Sequence, residues 1–342
     1  MGVIRKAGMI NMQNMLAQFC MQQLGFGPVG EIMLLTPGSG NAHNYFRDKF
    51  NEANMFTSIQ KAYAATVSAR NDVILVTPDM HNWHGDNDDI TATLTWGKQN
   101  VHMLGLDPGG LSGYGRARFQ HTSTNVNMLT VSGAGNMFKN VRITHGIAVG
   151  GSAGDITLLT VTSAGNSFEN VAFATPCSSL QGSASGYKAL ILNGTQNYFK
   201  HCTIGTANDL DRSAANCLLS LATTCSAWNI FEDCVFRSRS GGGQSTAYFI
   251  NDACTATVVD YTAIFLNCQF LHQGTDLAVA IAKAANTSRK LYFDSRCRFA
   301  GVTDVIADAR IAEIISGDNS ASEVVLAADF KQMLKARILV VT

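Results

Sequence analysis

Two carboxylates and a guanidinium lie within four positions in NDLDRS, residues 208–213: Asp209, Asp211 and Arg212. In an extended chain Asp209 and Asp211 share a face, with Cα atoms roughly 6.6 Å apart. Inverting glycosidases set their general acid and general base about 6.5–9.5 Å apart, so this pair is the catalytic candidate. The competing reading is that the segment is a return loop, where solvated charges belong. HNWHGDNDD, residues 81–89, offers His81, His84, Asp86, Asp88 and Asp89. An EF-hand loop counted from Asp86 puts Thr91 where glycine is needed and Gly97 where glutamate is needed, so the calcium motif fails. His81 and His84 have no evident third zinc ligand. No CxxC pair, nucleophile elbow, Walker loop or dinucleotide fingerprint occurs. The expectation is no cofactor and no resident metal.

Composition narrows the field further. The chain has 342 residues, 25 basic and 25 acidic, so its formal charge is zero. That is not the electrostatic footprint of a nucleic-acid binder. Only 15% of residues are charged, whereas helical proteins dress their faces with Glu and Lys. Abundant Gly, Ser, Thr and Asn suit β-structure with many tight turns. No apolar run is long enough to span a bilayer. Gln and Asn interrupt the N-terminal segment, so it does not read as a signal peptide. Sugar binding favours exposed Trp and Tyr platforms, but the chain has 18 Phe against 3 Trp and 8 Tyr, and Trp83, Trp96 and Trp228 are scattered.

What must position any site is a repeat. GNMFKNVRI (135–143) returns as GNSFENVAF (165–173), QNYFKHCTI (196–204), WNIFEDCVF (228–236) and AIFLNCQF (263–270). The phrase begins at Asn136, Asn166, Asn197, Asn229 and then Ala263. Spacings of this size mark a stacked architecture. Apolar residues alternate within each phrase (Val141 and Ile143, Cys234 and Phe236), which is strand periodicity. The phase breaks once per repeat. Phe138 and Val141 are three apart, so a straight strand would point them to opposite faces. The residues at the break are Asn140, Asn170, His201, Asp233 and Asn267, the types that best tolerate left-handed backbone. A one-residue corner there turns both flanking apolar side chains inward. The predicted inward stack is Phe138, Phe168, Phe199, Phe231 and Phe265, with Cys202, Cys234, Cys268 and Cys297 as small buried hydrophobes.

A further strand precedes each phrase, for example ITLLTVT (156–162) and KALILNG (188–194). Three short strands per coil, stacked coil on coil, make a right-handed single-stranded parallel β-helix of about seven or eight coils. The residue before each corner alternates in sign (Lys139, Glu169, Lys200, Glu232), a ladder that opposes wrong registers. The starting asparagines either stack as an amide ladder or act as independent turn formers. QNVHMLGLDPGG (99–110) reads as an early coil, with Asn100-Val101 matching the corner phrase. FTSIQKAYAAT carries helical spacing at Ile59, Ala62 and Tyr63, with Thr57 or Ser58 as cap. This capping helix covers the open end of the stack.

Four segments result. Residues 1–55 form an N-terminal anchoring arm, in which Met9, Met12, Met15, Leu16 and Phe19 make an apolar face for docking a partner, or for packing on the chain's own strands. Residues 56–98 hold the capping helix and first strands. Residues 99–301 are the β-helix, and 302–342 a C-terminal cap or oligomerisation segment.

FTSIQKA, NDVILVTPD and NVHMLGL, followed by repeats of NSFENVAF type, resemble the pectin-lyase-like β-helix superfamily, and most of all its short members among tailed-phage virion proteins. The resemblance covers roughly residues 56–300, and its motifs are architectural. It implies enzymes that cut acidic polysaccharides with clustered carboxylates on outer coil faces, sometimes with Ca²⁺ and a basic residue. THG at 144–146 resembles a catalytic tripeptide of some galacturonan hydrolases, but the accompanying carboxylate motifs are missing. The expected role is therefore a non-enzymatic virion protein: a homotrimeric capsid decoration (cement) protein held on the major capsid protein by its N-terminal arm. It would be assembled in the host cytoplasm, with no nucleic-acid or membrane partner. The alternative is a tail spike or fibre component, bound to tail proteins, that binds or depolymerises host-surface polysaccharide. A free bacterial lyase or hydrolase comes third.

Overall fold

The computed structural model describes residues 2–25, 27, 29–36, 41–47, 49–77, 93–106, 117–121, 127–145, 157–174, 188–205, 217–221, 227–240, 248–254, 260–283, 289–306 and 314–316. These form an all-β parallel β-helix with few helices, of which Gly2–Leu24 is long. Its strands lie in three wholly parallel sheets of eleven, eight and seven strands. One coil shows the pattern. Thr157–Val161 lies in the eight-stranded sheet, Ser167–Glu169 in the eleven-stranded sheet and Ala172–Ala174 in the seven-stranded sheet. The next coil repeats it in register, with Leu159 beside Leu190, Phe168 beside Phe199 and Phe173 beside Ile204.

The predicted corner is present in every repeat. Asn140, Asn170, His201, Asp233 and Asn267 all have φ between 51° and 56°. Phenylalanine on one side and Val or Cys on the other consequently both face the lumen. Phe138, Phe168, Phe199, Phe231 and Phe265 are fully buried. Their rings stack at centroid spacings of 4.7–5.0 Å with near-parallel planes. The stack continues to Phe293, 4.7 Å beyond Phe265. Identical side chains meet because in-register coils lie about 4.8 Å apart, close to the contact distance of two aromatic rings. A second stack (Phe236, Phe270, Phe299) lines the seven-stranded sheet.

The four repeat cysteines are buried, free thiols. Each also donates a weak hydrogen bond to the phenylalanine carbonyl one coil earlier: Cys202 to Phe168 O (3.3 Å), and Cys234 to Phe199 O, Cys268 to Phe231 O and Cys297 to Phe265 O (3.4 Å each). Cysteine thus fills volume as valine does at 141 and 171, and adds a weak bond to the preceding coil. Burial pushes the Cys234 thiol well above its ordinary value, which keeps it protonated.

The starting asparagines form a ladder, which decides between the two readings of them. Asn136 N–H donates to Asn166 Oδ1 (2.9 Å), Asn166 N–H to Asn197 Oδ1 (3.0 Å) and Asn197 N–H to Asn229 Oδ1 (3.0 Å). All four are buried, so each amide pairs a backbone donor that would otherwise be unsatisfied in the interior.

Several boundaries differ from the sequence reading. Residues 1–55 are not a segment separate from the β-helix. Ile32–Leu35 and Met55–Phe56 are strands of the eleven-stranded sheet: Ile32–Leu35 pairs with Asp72–Val76 on one side and with Met55–Phe56 on the other. IMLL is apolar throughout because it is covered on both sides: Met33 and Leu35 face the lumen cluster, Ile32 and Leu34 an outer cluster under a helix. At the other end the sheets run past residue 301, since Val302–Ile306 pairs with Leu277–Lys283 and Ile314–Ser316 with Arg289–Phe293. Asn100 does not belong to the Asn140 column. Met103 lies beside Phe138, which sets Asn100 beside Gly135. Both belong to a second corner column, absent from the sequence reading, that turns the chain into the eleven-stranded sheet. Gly135, Gly165, Gln196 and Trp228 have φ of 72°, 70°, 57° and 57° there.

The capping helix spans Ile59–Ala65. Ile59, Ala62 and Tyr63 join the lumen cluster, and the Tyr63 ring lies 4.3 Å from that of Trp96. Ser58 occupies the N-cap position, but its hydroxyl bonds Gln60 Oε1 (3.1 Å) rather than a helix N–H. At the other end the Lys98 ammonium donates to Tyr63 O (2.7 Å), Ala64 O (3.0 Å) and Thr66 O (2.6 Å). A cation there satisfies orphan carbonyls and the negative end of the helix dipole.

Candidate functional site

The outer face of the eleven-stranded sheet carries the most chemistry among the described residues, and it has two halves. The first is covered in cis. Helix α1, Gly2–Leu24, lays Leu16, Ala17, Phe19, Cys20 and Leu24 against Leu34, Val73, Leu75, Leu104 and Met137. Its last turn is tied down by Lys139, whose ammonium donates to Gln23 O (2.8 Å) and pairs with Glu169 (2.9 Å). Burial pushes the Cys20 thiol up to about 12. His102, buried on the neighbouring strand, accepts from Met137 N–H at Nδ1 (3.2 Å). Burial drives its pKa down to about 4, against an opposing pull from Asp72.

The second half lies beyond α1. Here the outward row Tyr198–Lys200 sits beside Ile230–Glu232. Lys200 pairs with Glu232 (3.4 Å), and the Tyr198 hydroxyl donates to the other oxygen of the same carboxylate. Burial and that carboxylate together raise the Tyr198 pKa. The charged column is thus real: it alternates in sign and closes as two pairs, Lys139–Glu169 and Lys200–Glu232. Trp228 stands at the edge of this row, 43% exposed.

The outer corner column is also linked. Asn170 Nδ2 donates to Asn140 Oδ1 (2.8 Å), Asn267 Nδ2 donates to Asp233 Oδ1 (2.6 Å), and His201 Nε2 lies 3.2 Å from Asp233 Oδ2. These groups hold neighbouring coils together. At the N-terminal end Asp72 is fully buried and accepts from Arg70 Nε (2.6 Å), Val67 N–H (2.6 Å) and Glu31 N–H (2.8 Å). Burial alone would raise its pKa; those bonds outweigh it and hold the carboxyl below its ordinary value.

The catalytic candidates Asp209, Asp211 and Arg212, and the His81–Asp89 cluster, lie outside the described residues. Thr144 of THG is buried and accepts from Arg142 Nε (3.1 Å); Gly146 lies outside the described residues. The docking set divides. Leu16 and Phe19 pack on the chain's own sheet, which corrects their assignment to a partner-facing surface, because that sheet is itself apolar on its outer side. Met15 is 58% exposed, Met12 is half-buried and the Met9 side chain lies outside the described residues. Among the described residues no cluster of three or more His, Cys, Asp or Glu could hold a metal ion, and no helix is long and apolar enough to cross a membrane.

No protein-family profile matches the chain, and no curated protein matches it. Similar solved structures include a PL6-family polysaccharide lyase from Pseudopedobacter saltans, with 14% identity and a TM-score of 0.39, covering 72% of this chain and 54% of the lyase. The chain thus spans about half the length of that enzyme. Another is a pectin methylesterase variant in complex with a hexasaccharide, with 13% identity and a TM-score of 0.42, covering 86% of this chain and 82% of the esterase.

Proposed function

We propose that the chain is a non-catalytic structural β-helix of a phage virion: a capsid decoration protein, homotrimeric, seated on the major capsid protein through its N-terminal end. The observation that carries the non-catalytic part is how the outward polar groups are used. Lys139, Glu169, Lys200, Glu232, Asn170, Asp233 and Asn267 each bond a group on a neighbouring coil or on α1, so they brace a rigid prism rather than converge on a point where a reacting atom would sit. Support for the N-terminal end as contact surface comes from exposure. Met15 is 58% and Tyr45 52% exposed, both at that end of the chain, where adaptable Met and aromatic side chains suit a protein partner. The phage setting rests on the sequence resemblance.

The test is location. Antibody labelling of purified particles, with mass spectrometry of dissociated capsids and tails, is expected to find the chain on the shell in multiples of three. Finding it at the tail tip favours the spike or fibre reading; its absence from particles rejects both. Turnover of acidic polysaccharide that disappears in Asp209→Ala or Asp211→Ala would establish an enzyme instead.

A further inference from the structure

One face of the prism carries charge of a single sign. The strands of the seven-stranded sheet hold Arg118, Arg142, Arg237, Arg239 and Arg298, and no Asp, Glu or Lys. The chain as a whole has as many acidic as basic residues, so the signs are segregated. Arg237 and Arg239 flank the buried Ser238, and Arg298 lies between the buried Cys297 and Phe299. All three therefore point outward. Arg142 lies likewise between the buried Val141 and Ile143, in register with Arg118. From Arg142 to Arg298 the column runs through Ala172, Thr203, Val235 and Gln269, about 24 Å in all.

Outward cations elsewhere are neutralised within the chain: Lys139 by Glu169, Lys200 by Glu232 and Arg296 by Asp294. Among the described residues no carboxylate pairs with Arg237, Arg239 or Arg298. Arg298 donates instead to Ser295 O (2.9 Å) and Cys297 O (3.0 Å). Like charges gathered on a rigid sheet repel one another, and an external anion removes that cost.

The residue types say which anion. Rich in Arg and poor in Lys, Asp and Glu is the composition of protein–protein contacts, and the guanidinium fork suits carboxylates held in fixed places. Half-buried Val235 and Leu271 stand among the arginines, Leu271 in register with Arg237, and supply apolar contact. Arg237 and Arg239 are alternate residues of one strand, about 6.6 Å apart. Alternate carboxylates of an extended polypeptide have that same spacing. Among the described residues no aromatic ring stands outward on this sheet, so nucleic-acid bases find nothing to stack on. A second copy of the chain does not supply the anions, because its carboxylate column is already taken, Glu169 by Lys139 and Glu232 by Lys200.

We propose that the outer face of the seven-stranded sheet, centred on Arg237 and Arg239, docks a different protein through an extended segment with carboxylates on alternate residues. Each guanidinium takes one carboxylate, and the segment's intervening residues lie over Val235 and Leu271. This face is separate from the N-terminal end and does not rest on the virion reading.

Fluorescence anisotropy of a labelled peptide of alternating Glu and Thr, titrated with the full chain, tests it. The comparison probes are a DNA duplex and an oligogalacturonate matched to the peptide in total charge. The peptide is expected to bind more tightly than either, and less tightly as salt is raised. The double variant Arg237→Gln, Arg239→Gln is expected to weaken binding at least about tenfold, for the loss of two charge-assisted contacts. Gln273→Glu places a carboxylate in register with Arg239 and is expected to weaken binding in the same direction. Both variants change outward side chains, and unchanged thermal unfolding checks that the fold is kept. The proposal is overturned if the peptide does not bind, if the duplex or the oligogalacturonate binds as tightly, or if the double variant binds as the parent does. It is also overturned if the parent is an oligomer that the double variant dissociates, which would make this face a contact between copies of the chain.

Discussion

Replacing Asn170 separates the demand for left-handed backbone from the demand for an amide. Its φ is 53°, and its Nδ2 donates to Asn140 Oδ1 at 2.8 Å. Asn170→Val loses that bond, worth about 0.5–1.5 kcal/mol, and places a β-branched residue where an ordinary side chain already costs about 1–2 kcal/mol. The expected loss is about 2–3 kcal/mol. Asn170→Gly loses the same bond and adds about 0.5–1 kcal/mol of unfolded-chain entropy, but it relieves the steric cost in part. Its expected loss is about 1 kcal/mol. Urea unfolding followed by circular dichroism gives the order parent, Gly, Val, with similar dependence on denaturant. If Val is tolerated as well as Gly, position 170 is not a left-handed corner, and the reason given for the inward pairing of Phe168 and Val171 is wrong.

Other outcomes follow from the same geometry. Phe199→Ala opens a hole between rings 4.7 Å away on either side and should cost about 3–5 kcal/mol, with Phe199→Leu costing much less; thermal unfolding reads both. The His102 pKa is lower in the folded chain than its ordinary 6.5, at about 4, so the unfolded chain binds the extra proton first. Stability should then fall as pH drops from about 6.5 toward 4, by about 3 kcal/mol in all, and His102→Gln should flatten that part of the profile. Asp72, with its lowered pKa, adds a loss that begins only below its unfolded value and completes below its folded one. Lys139→Met removes both the Gln23 carbonyl contact and the Glu169 pair, and should speed proteolysis near Gly25 while leaving the β-helix resistant.

The central coils were legible because they break a rule in the same place each time. Apolar residues three apart, with Asn, His or Asp between them, have one simple solution: a bend at that residue. Position 140 and its four counterparts adopt it. The second corner was equally visible as SGAGN (132–136), TSAGN (162–166) and NGTQN (193–197), but Trp228 hides the glycine consensus in the next coil, and Asn100 imitates the other corner. Phe293 does not fit the repeated phrase because its corner is one residue longer, with Asp294 Oδ1 accepting from Asn267 N–H (2.9 Å) and Arg296 N–H (3.1 Å). Ile32–Leu35 reads as part of an arm because its glycine- and proline-rich flanks suggest loop, and its pairing partners lie far along the chain at 55–56 and 72–76. Residue types alone could not choose between a partner and the chain's own sheet for Leu16 and Phe19. The site was least legible. Residue type does not separate Trp96, fully buried, from Trp228, 43% exposed.

One distance tests the stack as a whole. Arg142 and Gln269 face outward on the same column of the seven-stranded sheet, linked step by step through Ala172, Thr203 and Val235. Four coil steps put their Cα atoms about 19 Å apart, although 127 positions separate them in sequence (269 minus 142). Pulsed electron-spin measurement on the doubly labelled Arg142→Cys, Gln269→Cys chain should give one narrow peak near that value. A peak well beyond it, or a spread too broad for a fixed register, would contradict the parallel β-helix itself.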